Sequence, residues 1–243
     1  MTDAVGRARR ILSLLDLTNL QDDCTADDVV ELCRRAQGPH GQVAAVCVWP
    51  RFVTTARRAL EGSNVLVATV VNFPHGGTDA EASVTETERC LADGADEIDC
   101  VLPFRSFRDG DEVTTTALLT SVHRVVEGRA HLKVILETGE LVSQDFITRA
   151  ARLAISCGAD FIKTSTGKTA VSATPDAVRW MLEVIASTDR VVGIKPSGGI
   201  RTFADANVYV DLADEIMGPS WATPATFRFG ASGLLDDLEA VIT

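Results

Sequence analysis

The placement of lysine in this chain suggests chemistry. Four of the 23 basic residues are lysines, and three of them, Lys133, Lys163 and Lys195, lie in or beside the apolar runs LKVIL, FIK and VVGIK. A permanent charge is costly to bury in such runs. An amine can lose its proton and act as a nucleophile or base, which a guanidinium group does not do. These three lysines are therefore candidates for catalysis.

Lys163 lies near the end of one predicted strand and Lys195 near the end of the next, so we expect them to lie side by side. Two ammonium groups in a partly desolvated cavity lower each other's pKa, and one of the two amines then becomes neutral. A neutral amine attacks a carbonyl carbon to form a Schiff base, which lets a neighbouring carbon–carbon bond break or form. The alternative is that Lys163 and Asp99 form a buried ion pair that has no catalytic role.

The elements that must position these side chains follow from a repeating pattern. Short β-branched runs alternate with longer amphipathic runs along the chain. The predicted strands lie around Leu14–Leu17, Val43–Val48, Val65–Val71, Glu97–Leu102, Leu132–Glu137, Phe161–Thr164, Val191–Ile194 and Phe227–Gly230. Predicted helices between them include Thr25–Ala36, Asp79–Asp93, Glu112–Val126, Asp145–Cys157 and Pro175–Ile185.

Strands that alternate with helices predict parallel strands joined by crossovers. Eight such units in 243 residues favour one α/β domain over residues 1–243, a single (β/α)8 TIM barrel with an extra N-terminal helix. An open doubly wound sheet is the alternative. It would need a glycine-rich dinucleotide turn after the first strand, and DLTNLQDDCT contains no glycine.

Active sites of such barrels lie at the carboxyl ends of the strands. Alternation along a strand places Asp99 on the face opposite Ile98 and Cys100, so its carboxylate is expected to point into the barrel. Glu137 ends another strand, either as a general acid or as a group that neutralises the lysines. Cys47 ends a third as a candidate reactive thiol, although a buried small hydrophobic residue is the simpler interpretation.

Three glycine-containing segments predict a phosphate site. TSTGKT resembles the end of a nucleotide-binding P-loop, but the first glycine of that motif would fall on Ile162, which argues against a nucleotide. SGGIRT and RFGAS follow the last two predicted strands, where many such barrels bind phosphate through backbone N–H groups. Together the segments favour a bound phosphate monoester.

Composition excludes several classes of function. The net charge of -11 argues against a nucleic-acid partner and against an anionic membrane surface. The six cysteines show no CxxC spacing and the four histidines are dispersed, so we predict reduced thiols, no metal and no cofactor. The N-terminal apolar run carries Asp16 and is too short to span a membrane. We therefore predict a cytoplasmic protein.

Eight segments of the sequence together resemble the deoxyribose-phosphate aldolase family. They are LDLTNL, VCVWPRF, VATVVNFPHG, GADEIDCVLPF, LKVILETGEL, GADFIKTSTGK, VGIKPSGGIRT and RFGASGLL. The resemblance implies a class I, metal-free aldolase on a (β/α)8 barrel, active in deoxyribose catabolism. It would interconvert 2-deoxy-D-ribose 5-phosphate with glyceraldehyde 3-phosphate and acetaldehyde, so its partners would be a small phosphorylated sugar and aldehydes.

The resemblance also implies residue roles. Lys163 would form the Schiff base, and Lys195 would perturb that amine and assist proton transfer. Asp99 would be the general acid and base, with Lys133 hydrogen-bonded near it. The predicted substrate contacts are Asp16, Thr18, Cys47, Thr166, Gly167, Lys168, Gly198, Gly199, Arg201, Gly230 and Ser232.

Two departures from the family pattern and two competing functions stay open. Enterobacterial members carry a C-terminal tyrosine that assists proton transfer, whereas the single tyrosine here, Tyr209, lies in a helical pattern, so less efficient enamine protonation is expected. Gly233 stands where a second serine is common and offers its backbone N–H alone. A transaldolase-like transferase and a metabolite sensor are the alternatives to an aldolase. The sequence leaves open whether the protein forms a homodimer or a higher homo-oligomer.

Overall fold

Eight parallel strands form a barrel with helices around it, in a computed structural model that describes residues 2–243. The strands are β1 Leu15–Asn19, β2 Ala45–Val48, β3 Leu66–Val71, β4 Glu97–Val101, β5 His131–Ile135, β6 Phe161–Lys163, β7 Gly193–Lys195 and β8 Phe229–Ala231. The α-helices are α1 Thr2–Ser13, α2 Ala26–Arg35, α3 Val53–Ala59, α4 Ala80–Ala92, α5 Phe104–Arg108, α6 Glu112–Val126, α7 Thr138–Leu141, α8 Gln144–Ser156, α9 Pro175–Ala186, α10 Phe203–Met217 and α11 Leu234–Ile242. This architecture confirms the predicted TIM barrel and its extra N-terminal helix.

Each strand from β1 to β7 pairs in parallel with the next, and β8 pairs with β1. The seam between β7 and β8 has no continuous ladder and is joined by two isolated bridges, Ile194 to Phe227 and Ser197 to Gly230. Across it, the Arg228 N–H donates to the Ile194 carbonyl and the Gly230 N–H to the Pro196 carbonyl, each at 2.9 Å. The ring is therefore nearly closed, with its weakest pairing at this seam.

The extra helix α1 packs against α11 and is tied to α10 by ion pairs. The Arg10 guanidinium contacts the Asp214 carboxylate at 2.9 Å, and Arg7 pairs with Asp211. Ala8, Ile11 and Leu12 are the buried apolar face of this helix. An amphipathic segment before the first strand thus covers the outside of the barrel where the chain begins and ends.

The predicted boundaries agree with the structure within two residues, and the offset of β7 bears on the site. The predicted strand began at Val191, whereas β7 begins at Gly193 and includes Lys195. Val191 is 83% exposed, so its β-branched side chain marks no buried position. The shift matters because it places Lys195 inside the strand and beside Lys163, its paired residue in β6.

The barrel interior has two unlike halves. Side chains on one side of β2 and β3 form an apolar half made of Leu20, Ala45, Cys47, Ala68 and Val70. Opposite them lies a buried charged cluster, defined here as Asp16, Glu97, Asp99, Lys133, Lys163, Lys195 and Arg228. Ile98 and Cys100 pack in the outer core instead, so the alternation predicted for β4 is confirmed.

Candidate active site

Asp99 lies at the centre of the charged cluster, where three lysines contact its carboxylate. Lys163 Nζ donates to Asp99 Oδ2 at 2.8 Å and Lys195 Nζ donates to the same oxygen at 2.7 Å. Lys133 Nζ donates to the other oxygen, Oδ1, at 3.1 Å. Residues from β4, β5, β6 and β7 thus meet at one carboxylate because inward positions of neighbouring parallel strands are adjacent.

Lys195 has a second carboxylate partner, and this overturns one prediction. Asp16 Oδ2 lies 2.6 Å from Lys195 Nζ. Burial by itself would lower the pKa of Lys195, but the charges of Asp16 and Asp99 outweigh burial and raise that pKa above its ordinary value. The prediction that the two lysines lower each other's pKa is therefore wrong for Lys195, since it left out an acid from β1.

Both central carboxylates are held in the ionised form. Burial would raise the pKa of Asp99, but Lys133, Lys163 and Lys195 together lower it well below its ordinary value. The pKa of Asp16 is likewise lowered, because Lys195, Arg228 and Lys133 outweigh its burial. The site therefore contains a fixed carboxylate acceptor beside a fixed ammonium donor, the two groups that general acid and base steps require.

A cavity of about 310 Å³ opens above the cluster at the carboxyl ends of the strands. Lys163 lines it, whereas Lys133 and Lys195 are fully buried. The predicted substrate contacts that also line it are Thr18, Thr166, Gly167, Lys168, Gly198, Gly199, Arg201, Gly230 and Ser232. Lys163 is thus the one interior lysine of residues 2–243 that a ligand in this cavity can reach.

Two predicted substrate contacts do not line the cavity. Asp16 is fully buried beneath Lys195, where it contacts charged side chains. Cys47 is fully buried in the apolar half, and burial raises the pKa of its thiol. The contact of Cys47 with a ligand stays a prediction, and the simpler interpretation of a small buried apolar residue agrees with its surroundings.

Tight turns form part of the cavity wall. Gly167, Gly198 and Gly199 have φ angles of 78°, 83° and 79°, a conformation that side chains with a Cβ rarely adopt. A Cβ on Gly198 would also overlap the Ser172 side chain. These turns bring backbone close to the cavity at the place where the sequence predicted a phosphate.

The N-terminus of α11 differs from those of the other helices near the cavity. Helix α11 follows Gly233, which has no side chain to cap the first turn, whereas Thr202 and Asp205 form a capping box at α10. The first N–H groups of an uncapped helix lack protein acceptors and attract anions. The neighbouring Ser232 and Gly230 line the cavity, so α11 begins close to it.

Lys168 lies on the rim of the cavity. Its ammonium group is 3.1 Å from Asp22 Oδ1, in the loop after β1, and 5.7 Å from the centre of the Trp49 ring. The Lys168 side chain is 30% exposed and that of Asp22 is 90% exposed, so this pair is weak. A phosphate in the cavity can therefore compete with Asp22 for the ammonium group.

Glu137 holds the loop after β6. Its carboxylate accepts hydrogen bonds from the Thr166 hydroxyl at 2.5 Å and from the Thr169 hydroxyl at 3.2 Å. Burial raises the pKa of Glu137, partly offset by these hydrogen bonds. Its backbone has a positive φ of 58° and forms the turn between β5 and α7. These contacts favour a loop anchor over both roles considered from the sequence.

Sequence reasoning missed two members of the charged cluster. Arg228 donates to Asp16 Oδ1 at 2.7 Å and to Glu97 Oε1 at 2.9 Å. Glu97 in turn accepts from Lys133 at 2.5 Å. The signal for Glu97 was present, because it lies two residues before Asp99 and hence on the same face of β4.

Within residues 2–243, no three His, Cys, Asp or Glu side chains are grouped so as to hold a metal ion. In the same part of the chain, no helix is long and apolar enough to cross a membrane. The expectations of a cytoplasmic location and of a reaction without metal or cofactor stay predictions.

Comparison with known proteins gives a consistent set of relatives. A profile of the DeoC/LacD family of aldolases matches residues 10–236. The deoxyribose-phosphate aldolase of Agrobacterium fabrum (strain C58) is 52% identical over 232 residues, which cover 95% of this chain and 90% of that protein.

Solved structures agree with these relatives. A Toxoplasma gondii ME49 protein, provisionally assigned as a deoxyribose-phosphate aldolase, has a TM-score of 0.91 at 29% identity, covering 100% of this chain and 98% of its own. The tetrameric deoxyribose phosphate aldolase of Aeropyrum pernix shares the fold, with a TM-score of 0.80 at 24% identity over 98% of this chain and 97% of its own.

Proposed function

The chain belongs to the DeoC/LacD family of aldolases, and we propose that this enzyme cleaves 2-deoxy-D-ribose 5-phosphate reversibly to D-glyceraldehyde 3-phosphate and acetaldehyde. The observation that carries the proposal is the position of Lys163. Its amine lines the cavity while it shares one carboxylate oxygen of Asp99 with Lys195. Family membership removes the metabolite-sensor alternative, and a screen of donor substrates separates this reaction from that of a transaldolase-like transferase.

Schiff-base formation uses the three central side chains. Lys163 gives up its ammonium proton to Asp99, and its free amine attacks C1 of the open-chain aldehyde to form a carbinolamine. Asp99 returns that proton to the departing hydroxyl group and is ionised again, while the protonated Lys195, hydrogen-bonded to the same carboxylate oxygen, stabilises the carboxylate. The hydroxyl leaves as water, and an iminium ion remains on Lys163.

The iminium ion then accepts electrons from the bond that breaks. The C3 hydroxyl loses its proton to a base, for which the ionised Asp99 is suited, and the C2–C3 bond pair moves toward the iminium nitrogen. D-glyceraldehyde 3-phosphate leaves, and the enamine of acetaldehyde stays on Lys163. Proton return to C2 and addition of water release acetaldehyde and restore the amine.

The phosphate group is proposed to bind at the turn-rich end of the cavity. The uncapped N-terminus of α11, the turn at Gly198 and Gly199, and the Lys168 ammonium group surround that end. Arg201 lines the same end and adds a second cation. Thr18, which also lines the cavity, is suited to a sugar hydroxyl.

We further propose that residues 1–243 act as one catalytic domain, because one sheet contains all eight strands. Assembly as a homodimer or higher homo-oligomer stays a prediction.

Borohydride reduction in the presence of acetaldehyde tests the proposal. We expect a two-carbon adduct on Lys163, identified by peptide mass spectrometry, and none on Lys133 or Lys195, because those amines are fully buried. Lys168→Arg is the matched control, since Lys168 lies in the same loop and lines the same cavity.

Lys168→Arg should keep the Lys163 adduct and change the KM for the phosphorylated sugar, whereas Lys163→Arg should abolish both the adduct and turnover. Adducts spread equally over all four lysines, or a variant without Lys163 that still turns over, would contradict the proposal.

A further inference from the structure

Glu97 and Arg228 form a buried ion pair one layer deeper in the barrel than Asp99. Arg228 is 3% exposed and Glu97 fully buried. The guanidinium Nη2 donates to Glu97 Oε1 at 2.9 Å and Nη1 approaches Oε2 at 3.2 Å. Neither side chain lines the cavity. A buried pair of this kind is expensive to desolvate and contributes little net stability, so its presence calls for another explanation.

Each member of the pair holds a residue that contacts the reactive groups. Arg228 Nη1 donates to Asp16 Oδ1 at 2.7 Å, which leaves Asp16 Oδ2 directed at Lys195. Glu97 Oε2 accepts from Lys133 at 2.5 Å, and Lys133 in turn occupies Asp99 Oδ1. Asp99 Oδ2 is thereby left to Lys163 and Lys195 together.

The charges of the cluster do not balance when every member is ionised. Four cations, from the three lysines and Arg228, face three carboxylates, from Asp16, Glu97 and Asp99. One positive charge is in excess. A buried excess positive charge favours release of a proton from one of the amines, and Arg228 is the cation that cannot release one.

We propose that Glu97 and Arg228 are positioning residues that set, through Lys133 and Asp16, the protonation of the amine that forms the Schiff base. The inference rests on the proposed function, since it concerns the same amine. Arg228 supplies the excess positive charge, and Glu97 limits that excess and keeps Lys133 away from Asp99 Oδ2. Neither residue touches the substrate.

The pH dependence of kcat/KM separates this role from a merely structural one. The charged or titratable groups that face the reacting amine come from every neighbouring strand: Asp16, Cys47, Glu97, Asp99, Lys133, Glu137, Lys195 and Arg228. Of these, the test changes Glu97 and Arg228 alone. The acid limb of the profile marks the pH at which the reacting amine becomes neutral.

Glu97→Gln raises the excess to two positive charges and should move the acid limb down. Arg228→Met removes the excess and should move the limb up. Each shift should be about one pH unit, which is the effect of one charge about 10 Å away at an effective dielectric constant of about 20. Each single variant is a sufficient test, and Glu97→Gln has the same shape as the native side chain.

Two further variants separate charge from geometry. Glu97→Gln combined with Arg228→Met restores the original excess, so its acid limb should return to within about 0.3 pH units of the wild type. Arg228→Lys keeps the charge but loses the planar guanidinium group that hydrogen-bonds to both Asp16 and Glu97. We therefore expect kcat to fall while the acid limb of kcat/KM stays in place. Melting temperatures identify the folded variants.

Unchanged limbs in folded single variants, or shifts in the same direction, would overturn the inference. The borohydride adduct on wild-type Lys163 distinguishes the two levels of failure. If that adduct forms and the limbs do not move, the inference about the pair fails and the proposed function stands. If no adduct forms on the wild type, the proposed function itself has failed.

Discussion

Replacement of Lys195 by methionine should cost most of the activity at neutral pH while the barrel stays folded. Methionine fills much of the volume of the lysine side chain but carries no charge. The Asp99 oxygen that Lys163 and Lys195 share, at 2.8 and 2.7 Å, would then belong to Lys163 alone. The change favours the ammonium form of Lys163, because Lys163 loses a cationic neighbour and no longer shares its acceptor oxygen.

The geometry gives the size of the effect. Two amines on one carboxylate oxygen lie about 5 Å apart, where two unit charges interact by about 3 kcal/mol at an effective dielectric constant of about 20. This energy corresponds to about two pH units. The acid limb of kcat/KM should therefore move up by about two pH units, and turnover at pH 7 should fall about 100-fold.

The assay is kcat/KM for 2-deoxy-D-ribose 5-phosphate between pH 5.5 and 10, with glyceraldehyde 3-phosphate release coupled to a dehydrogenase. Activity of the variant should recover at high pH if charge is the main effect. Lys195→Arg is the matched control, because it keeps the charge and should leave the limb near its wild-type position. A Lys195→Met enzyme with near-normal turnover at pH 7, or with a limb that has not moved, would refute the two-lysine argument.

Two further predictions concern stability. Gly193→Ala should lower the free energy of unfolding by about 1–3 kcal/mol, because the new Cβ overlaps the Phe161 ring. Urea titration should show that Phe161→Leu restores part of the lost stability. The control Gly6→Ala should lose no stability, because no heavy atom lies within 4 Å of its new Cβ. The pKa values of Asp16 and Asp99 are lower in the folded protein than in the unfolded chain. Their stabilisation is therefore complete above about pH 4 and is lost as pH falls below it, and Asp16→Asn should reduce the slope there by up to about 1.4 kcal/mol per pH unit. An unchanged slope would contradict the assigned ionisation of Asp16.

Alternation within single strands accounts for what the sequence could predict. Asp99, Lys163 and Lys195 each lie at an inward position near the end of an apolar run, and period-two reasoning places them correctly without knowledge of the tertiary structure. The same reasoning, extended by two residues along β4, would have included Glu97. An acid at the start of a strand usually faces solvent, so the pattern gives a weaker signal for Glu97 than for Asp99.

Interactions between distant segments account for what the sequence could not predict. The raised pKa of Lys195 depends on Asp16, which belongs to β1 and approaches β7 only when the barrel closes. Arg228 precedes β8, and its role depends on Asp16 and Glu97, both far away in the chain. Cys47 lies on a strand as predicted but does not line the cavity, because depth within a barrel depends on strand register.

The seam between β7 and β8 links folding of the chain to its chemistry. Strands β1 and β8 come from opposite ends of the chain, so the ring closes through contacts of high sequence separation, which form slowly. Lys195 and Arg228 flank that seam, and the Asp16 carboxylate contacts Lys195 through one oxygen and Arg228 through the other. A chain in which β1 to β7 are paired but the ring is open has Lys163 beside Lys195, but it lacks the contact of Asp16 with Lys195 and that of Arg228 with Asp16. Recovery of catalytic activity during refolding therefore reports ring closure, whereas helix content can return earlier.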